Sequence, residues 1–426
     1  MNVVFDLSSQ ALWHGSKSGM RGIYRVVDSL LPELSKQVNN FICSSTENSA
    51  LAGDYLNHKG FEIPFRKTLL HQTISRSAGV ANGIHEANMA DYPMNKRLTR
   101  KISRKATSET TKLLTHMASA SSRFPLDGIN IFHQPAPFQI PEFIRAHSRS
   151  NFARFMTIYD FIPFSDGHPH PREALYLQSV FDTLGADDFV ICISEYVKNE
   201  TCERLKLKPE NIFVAPLAAS PSLFYPNDSK AIIENIREQF HLGDKPYFLS
   251  LCALDPRKNM KLLLEAFGEL CAQRTDMEVN LVLAGNAPKE EIANLKAYAK
   301  QSGIANRLLL PGFIPDQDLA ALYSGALAFV FPSLAEGFGL PPLEAMQCGT
   351  PVICSNMTSL PEVVGHAGIL FDPADIDSLC SAMEKLHDEP STAERYSKTG
   401  IARAAEYSWE RCAQAHLYAY SQALGR

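Results

Sequence analysis

Along residues 246–372, short apolar runs take turns with segments whose apolar positions recur every three or four residues. PYFLSLCAL (246–254), VNLVLAG (279–285), RLLLPGF (307–313), LAFVFPS (327–333), TPVICS (350–355) and GILFD (368–372) read as strands covered on both faces. Between them, Leu262, Leu263, Ala266, Phe267 and Leu270 mark one side of a helix over 258–273. Further helices are expected over 289–302, over 316–324, from Pro341 onward, over 375–388 and over 391–407. The first half repeats the theme with wider gaps. Its strands are NVVFDLS (2–8), FICS (41–44), INIFHQ (129–134), ARFMTIYD (153–160), DFVICIS (188–194) and IFVAPL (212–217). Its helices are expected over 22–36, from about 172, and over 195–206. Strand alternating with helix means a parallel sheet with helices on both faces, so the class is α/β with two doubly wound, Rossmann-like domains. The aperiodic SPSLFYPNDSK (220–230) is the expected joint, dividing the chain into 1–225 and 226–408. Ligands of such sheets sit beyond the carboxyl ends of the strands, and a cleft between two of them is a natural site.

Charge and cysteine content narrow the partners. Charged residues are 20% of the chain and the formal net charge is −5, so a chain-wide case for nucleic-acid binding fails. No apolar run approaches the roughly 20 residues of a membrane span. The start, MNVVFDLSS, lacks the basic segment of a secretory signal and reads as a first strand. The nine cysteines form no C-x-x-C pair, which fits reduced thiols in a cytoplasmic protein. Residues 61–124 differ in carrying eleven Lys and Arg against four acids. There Leu98, Ile102 and Ala106 recur under a basic face, so 94–112 is a candidate for peripheral contact with anionic lipid on the inner face of the membrane. A solvated helix lying on its own domain is the alternative.

The sharpest local feature is AEGFGLPPLEAMQCGTPVICS (335–355). A strand delivers the chain to the loop Glu336-Gly337-Phe338-Gly339-Leu340, and Pro341 and Pro342 open a helix where missing N–H groups cost nothing. Gly337 and Gly339 let backbone approach a ligand closely. The N–H groups and partial positive charge of a helix start suit a phosphate. Glu336 and Glu344 bracket the loop, and carboxylates accept from vicinal hydroxyls. Phosphate binder plus hydroxyl binders points to a nucleotide-sugar. The dinucleotide fingerprint G-x-G-x-x-G does not fit, because its third glycine position is Pro342. Arg257 and Lys258 stand at a helix start, where cations oppose the dipole, so an anionic partner is expected there. His168 and His170 in DGHPHP have no acidic neighbours and make no metal site.

These residues resemble the retaining GT-B glycosyltransferases of family 4, which include many bacterial sugar transferases for lipopolysaccharide and exopolysaccharide. Glu336 and Glu344 match the family's E-x7-E signature, and LDPRKN (254–259), PGFIPDQDL (311–319) and YSWERCAQAHLYAY (407–420) extend the match. In the first half the likeness rests on the Gly19–Gly22 loop, FHQP (132–135), TIYDFIP (157–163) and CISEYVKNE (192–200). The resemblance implies a GT-B fold with an interdomain cleft, and a final helix (409–426) that crosses back to the first domain. It implies that Glu344 binds ribose hydroxyls and Glu336 the donor sugar. The amides of Gly337, Phe338, Gly339 and Leu340 would hold sugar and pyrophosphate. Lys258 and Arg257 would neutralise the leaving phosphate, and backbone near Phe313 and Ile314 would face the base. Gly19 would approach the phosphates from the other domain, and His133 would sit over the sugar, its alternative being a core histidine.

The implied reaction is a metal-independent transfer of a hexose with retention, the leaving phosphate taking the acceptor's proton. No resident cofactor is expected. By the same likeness the donor is GDP-mannose and the acceptor a glycan on a polyprenyl or lipid carrier, in surface polysaccharide synthesis. The chain departs from the family at Cys252, where many relatives carry Arg, and at Tyr159, where many carry His. A phenol, with its ordinary pKa near 10, is no general base at neutral pH. Those departures support the alternative of a catalytically silent nucleotide-sugar-binding scaffold.

Overall fold

The computed structural model describes residues 1–7, 21–44, 55–57, 59–64, 128–137, 152–165, 171–251, 255–286 and 288–425. Gly19, the basic stretch 94–112, His168, His170 and Cys252 lie outside the described residues.

The first half contributes β1 (Asn2–Asp6), α1 (Arg21–Gln37), β2 (Asn40–Ser44), β3 (Ile131–Gln134), β4 (Ala153–Ile158), α2 (Pro171–Phe181), β5 (Phe189–Cys192), α3 (Glu195–Arg204) and β6 (Ile212–Val214). These strands form one sheet in the order β2-β1-β3-β4-β5-β6, and every recorded pairing is parallel. The α1 stripe Val26, Val27, Leu30, Leu31 and Leu34 is buried, which is why this stretch folds as a helix on the sheet. Ser194 starts α3 by accepting from the Val197 N–H at 3.1 Å.

A helix the sequence pattern did not predict, α4 (Lys230–Gln239), follows the joint at once. Only Ile236 of this helix is buried, so its apolar face is too narrow to stand out. Then come β7 (Tyr247–Leu251), α5 (Met260–Gln273), β8 (Asn280–Ala284), α6 (Lys289–Gln301), β9 (Leu308–Gly312), α7 (Asp316–Ser324), β10 (Ala328–Phe331), α8 (Leu340–Gln347), β11 (Val352–Ser355), α9 (Leu360–Val364), β12 (Ile369–Phe371), α10 (Ile376–Asp388) and α11 (Pro390–Ala404). The second sheet runs β12-β11-β10-β7-β8-β9, again with parallel pairings. The chain winds outward from β7 to β9, returns to the middle, and winds the other way from β10. The crevice between β7 and β10 is therefore the switch point, where an open parallel sheet leaves room for a ligand.

Like β1, which ends at Asp6, three strands at the cleft stop two residues short of their expected ends. β4 ends at Ile158, β5 at Cys192 and β10 at Phe331. Tyr159, Asp160, Ser194 and Ser333 thereby leave their sheets, and Tyr159 and Asp160 line the space between the two halves. The last helix, α12 (Trp409–Leu424), returns from the second half and packs on α1 and on β4, β5 and β6. No helix among the described residues is long and apolar enough to cross a membrane.

His133 lies under α12. The sequence reading placed it over a sugar, and the structure corrects this. Its ring is wholly buried, sharing hydrogen bonds with the Tyr420 hydroxyl and, at 2.9 Å, with Thr157 Oγ1. It stacks on His416 at 5.5 Å between centroids. β3 is buried along its whole length, so a histidine there is core whichever way it points. Burial lowers the pKa of both imidazoles, that of His416 to about 4, and each ring's proton would face the other's. The unfolded chain takes up these protons below about 6.5 while the folded one does not, so stability is complete above that pH and declines as pH falls toward 4. The expected loss is on the order of 3 kcal/mol for one such group. Thermal unfolding followed from pH 7 to pH 4 should show it, and His416→Phe should flatten the curve.

Candidate active site

The turn after β7 and the loop after β10 meet across the switch point. Asp255 holds the turn by accepting from the Arg257 N–H at 3.0 Å, and Asn259 adopts a left-handed φ of 55°. This presents Lys258 4.9 Å from the centre of the Phe331 ring and in an ion pair with Glu336 Oε1. Both side chains of that pair are only 12% exposed. Ser333 Oγ donates to the same carboxylate oxygen at 2.6 Å. Arg257 sits differently. It donates to Asp255 Oδ2 and to the Ala335 carbonyl, both at 2.7 Å, and stands 3.5 Å from Glu336 Oε2. Lys258 lines the cavity, whereas Arg257 clamps the loop from behind.

The loop itself is fixed from two sides. Glu336 N–H donates to Thr358 Oγ1 at 3.0 Å, and Ser359 Oγ lies 2.9 and 2.8 Å from the carbonyls of Glu336 and Phe338. Thr358 has a φ of 52°, an uncommon conformation for a β-branched residue, at the point where its hydroxyl meets the loop. From the first half, Ser194 Oγ donates to the Gly337 carbonyl at 2.7 Å. A Cβ on Gly337 would lie 2.1 Å from the Tyr159 carbonyl oxygen, so only glycine fits against the other sheet. Gly339 has a φ of 122° and caps α8 with no side-chain bond to the helix start. Pro341 and Pro342 carry no N–H and the Leu343 N–H donates to the Gly339 carbonyl at 3.2 Å, so the amides this loop can offer the cavity are those of 337–340, which line it.

Glu344 follows one turn later, buried, with Tyr323 donating to its Oε2 at 3.2 Å. Arg25 reaches it from α1, 3.4 Å from Oε1, and also pairs with Asp316. Burial pushes the Glu344 carboxyl up to about 7, with the Arg25 charge pulling the other way. Asp160, held by the Ile162 N–H at 3.0 Å, is also raised by burial. Tyr159 turns its hydroxyl away, donating to the Pro135 carbonyl at 2.8 Å, and burial raises that phenol further.

These groups enclose a cavity of about 600 Å³ between the two halves. Its lining brings together Lys258, Glu336, Gly337, Phe338, Gly339, Leu340, Glu344, Phe313 and Ile314 from the sequence reading. His133 is not among them. The sequence reading missed Arg25, Asp160 and Asn286 on the lining, and Tyr323, Thr358 and Ser194 behind it. Arg25 did carry a signal, because it follows the first turn of a helix that has no acid in that turn.

Residues 232–403 match the family described as glycosyl transferases group 1. The O-antigen chain mannosyltransferase B of Escherichia coli is 34% identical over 268 residues, covering 62% of this chain and 69% of that protein. The serotype-specific mannosyltransferase WbdA of Escherichia coli is 31% identical over 272 residues, 62% of this chain. The present chain spans only 33% of the length of WbdA. Among solved structures, Anabaena Alr3699/HepE in complex with UDP aligns over 99% of this chain and 100% of its own, with a TM-score of 0.64 at 17% identity. That likeness bears on the fold, two Rossmann-like halves facing a cleft. The chain belongs to the group 1 glycosyltransferases and has the GT-B fold.

Proposed function

We propose that the chain transfers mannose from GDP-mannose to a glycan or a lipid-linked glycan, with retention and without a metal, in the synthesis of a bacterial surface polysaccharide. One observation carries the reading. A glycine loop at a helix start lines a cavity of about 600 Å³ and is bracketed by two carboxyl groups, the buried Glu344 and the nearly buried Glu336, that line it too. The mannosyltransferase names of the relatives favour mannose, and acceptor and linkage follow by the same analogy. Contact of residues 94–112 with the inner face of the membrane belongs to the same proposal.

In this reading the breaking bond joins the anomeric carbon to the diphosphate. Negative charge grows on the leaving phosphate and positive charge on the ring. Lys258 and the amides of 337–340 face the first, in place before the reaction starts. Glu336 orients the sugar through its hydroxyls and carries the charge that keeps Lys258 in position. The leaving phosphate receives the acceptor's proton, so no side-chain base is required. Contact of Gly337 with the Tyr159 carbonyl closes the cleft and keeps water from the donor.

Lys258→Ala and Glu336→Ala should each lower transfer by about 10²–10³-fold, as loss of one preorganised charge-stabilising group does. The assay is release of GDP from GDP-mannose in the presence of acceptor, with circular dichroism to check folding. Near-wild-type turnover in both variants rejects the assignment. The rate should be unchanged in EDTA, and NMR of the product should give the donor's anomeric configuration.

Glu344 makes nucleotide binding depend on pH. Its carboxyl, pushed up to about 7 by burial, accepts ribose hydroxyls best when ionised. Affinity for GDP should therefore rise about tenfold between pH 6 and pH 8. Calorimetric titration measures this, and Glu344→Gln should remove that part of the slope.

A further inference from the structure

We propose that Arg25 is a donor-binding residue: α1 supplies from the first half a guanidinium that contacts the diphosphate held by the 337–340 amides in the second. The proposal rests on the nucleotide-sugar reading above.

Among the described residues, the cavity lining carries two cations, Arg25 and Lys258, and three carboxylates, Asp160, Glu336 and Glu344. A dianion entering such a lining needs a cation that can change partners. Lys258 is held by Glu336 within its own half. Arg25 comes from the opposite wall and is shared between Asp316 and Glu344. The second contact, at 3.4 Å, is a long one, so it is the one that yields when ligand hydroxyls take the Glu344 oxygens.

Geometry then decides where the freed face of the guanidinium points. Glu344 stands four residues after Leu340, about 6 Å along the axis of α8. Side chains on a helix lean toward its N-terminus. The Glu344 carboxylate, and Arg25 with it, thus lies beside the opening turn of α8 and the loop 337–340, which lines the same cavity. Asp316 stays as anchor. A guanidinium keeps its charge at any working pH, and its fork of five donors serves a carboxylate and a phosphate at once. Lysine at this position would have neither the fork nor the second anchor.

The competing role is a strut that only ties α1 to α7 and α8. Diphosphate and nucleoside separate the two. Calorimetry with GDP and UDP, and ligand-observed NMR with guanosine and uridine to millimolar concentration, are run on the wild type and on Arg25→Ala. Arg25→Gln replaces the alanine variant if the latter does not fold. The expected result is a loss of about tenfold or more in diphosphate affinity, as for a lost charge-assisted contact, with nucleoside binding within twofold of wild type. A smaller loss for the diphosphate, or a parallel loss for nucleoside and diphosphate, overturns the proposal and leaves the strut. If the wild type binds neither GDP nor UDP, the nucleotide-sugar reading itself falls, and the inference with it.

Discussion

A carboxylate taken out of water needs a cation or hydrogen bonds to stay ionised, and this molecule places two of them eight residues apart, one on either side of one loop. The compensation comes from different places. Glu336 is served by Lys258, Ser333 and Arg257, all within the second half. Glu344 is served by Tyr323 from its own half and by Arg25 from the other. The first arrangement is complete without the partner sheet. The second is complete only when α1 is in place. Burial of Glu344 therefore ties the site to the relative position of the halves, because of the side chains named here withdrawing α1 would leave the carboxyl with Tyr323 alone.

The same joint is made three more times along the cleft edge. Ser194 uses one hydroxyl both to cap α3 and to hold the Gly337 carbonyl. Gly337 presses on the Tyr159 carbonyl where no side chain fits. Glu362 accepts from the N–H groups of Glu195 and Tyr196 at 3.0 and 3.3 Å, an anion placed at the start of α3. Each contact pairs a group at the carboxyl end of a first-half strand with the 336–362 stretch of the second. Both sheets expose these ends because parallel strands release their chains on one side. The loop that lines the cavity is thus shaped by two sheets that are far apart in sequence.

That separation explains what could be read from the sequence. The second half was legible because its strands are covered on both faces and its helices are amphipathic, so apolar runs and stripes alternate cleanly. The loop with its two glutamates was legible because glycine, proline and carboxylate each carry their own chemistry at fixed spacing. α4 was not, since a helix with one buried residue has almost no stripe. His133 looked like a site residue because a strand-end histidine carries no mark of its neighbours. Tyr420 and His416, which enclose it, arrive nearly three hundred residues later with α12. Arg25 and Glu344 are 319 residues apart, and no local pattern joins them.

The segment after β4 shows how a departure in sequence becomes a change in the wall of the site. Where Tyr159 stands, an imidazole could have faced the cleft and exchanged a proton at neutral pH. The phenol is longer, and its hydroxyl finds the Pro135 carbonyl inside the first half. What this segment offers the cavity is then its backbone carbonyl, already used against Gly337, and the Asp160 carboxyl. Burial favours the protonated form of Asp160, while Arg257 and the Ile162 N–H favour the charged one. A neutral Asp160 would donate a hydrogen bond to an oxygen in the cavity, and an ionised one would only accept. Either way this segment presents the cavity with a backbone carbonyl and a carboxyl in place of the imidazole that many relatives carry at this position.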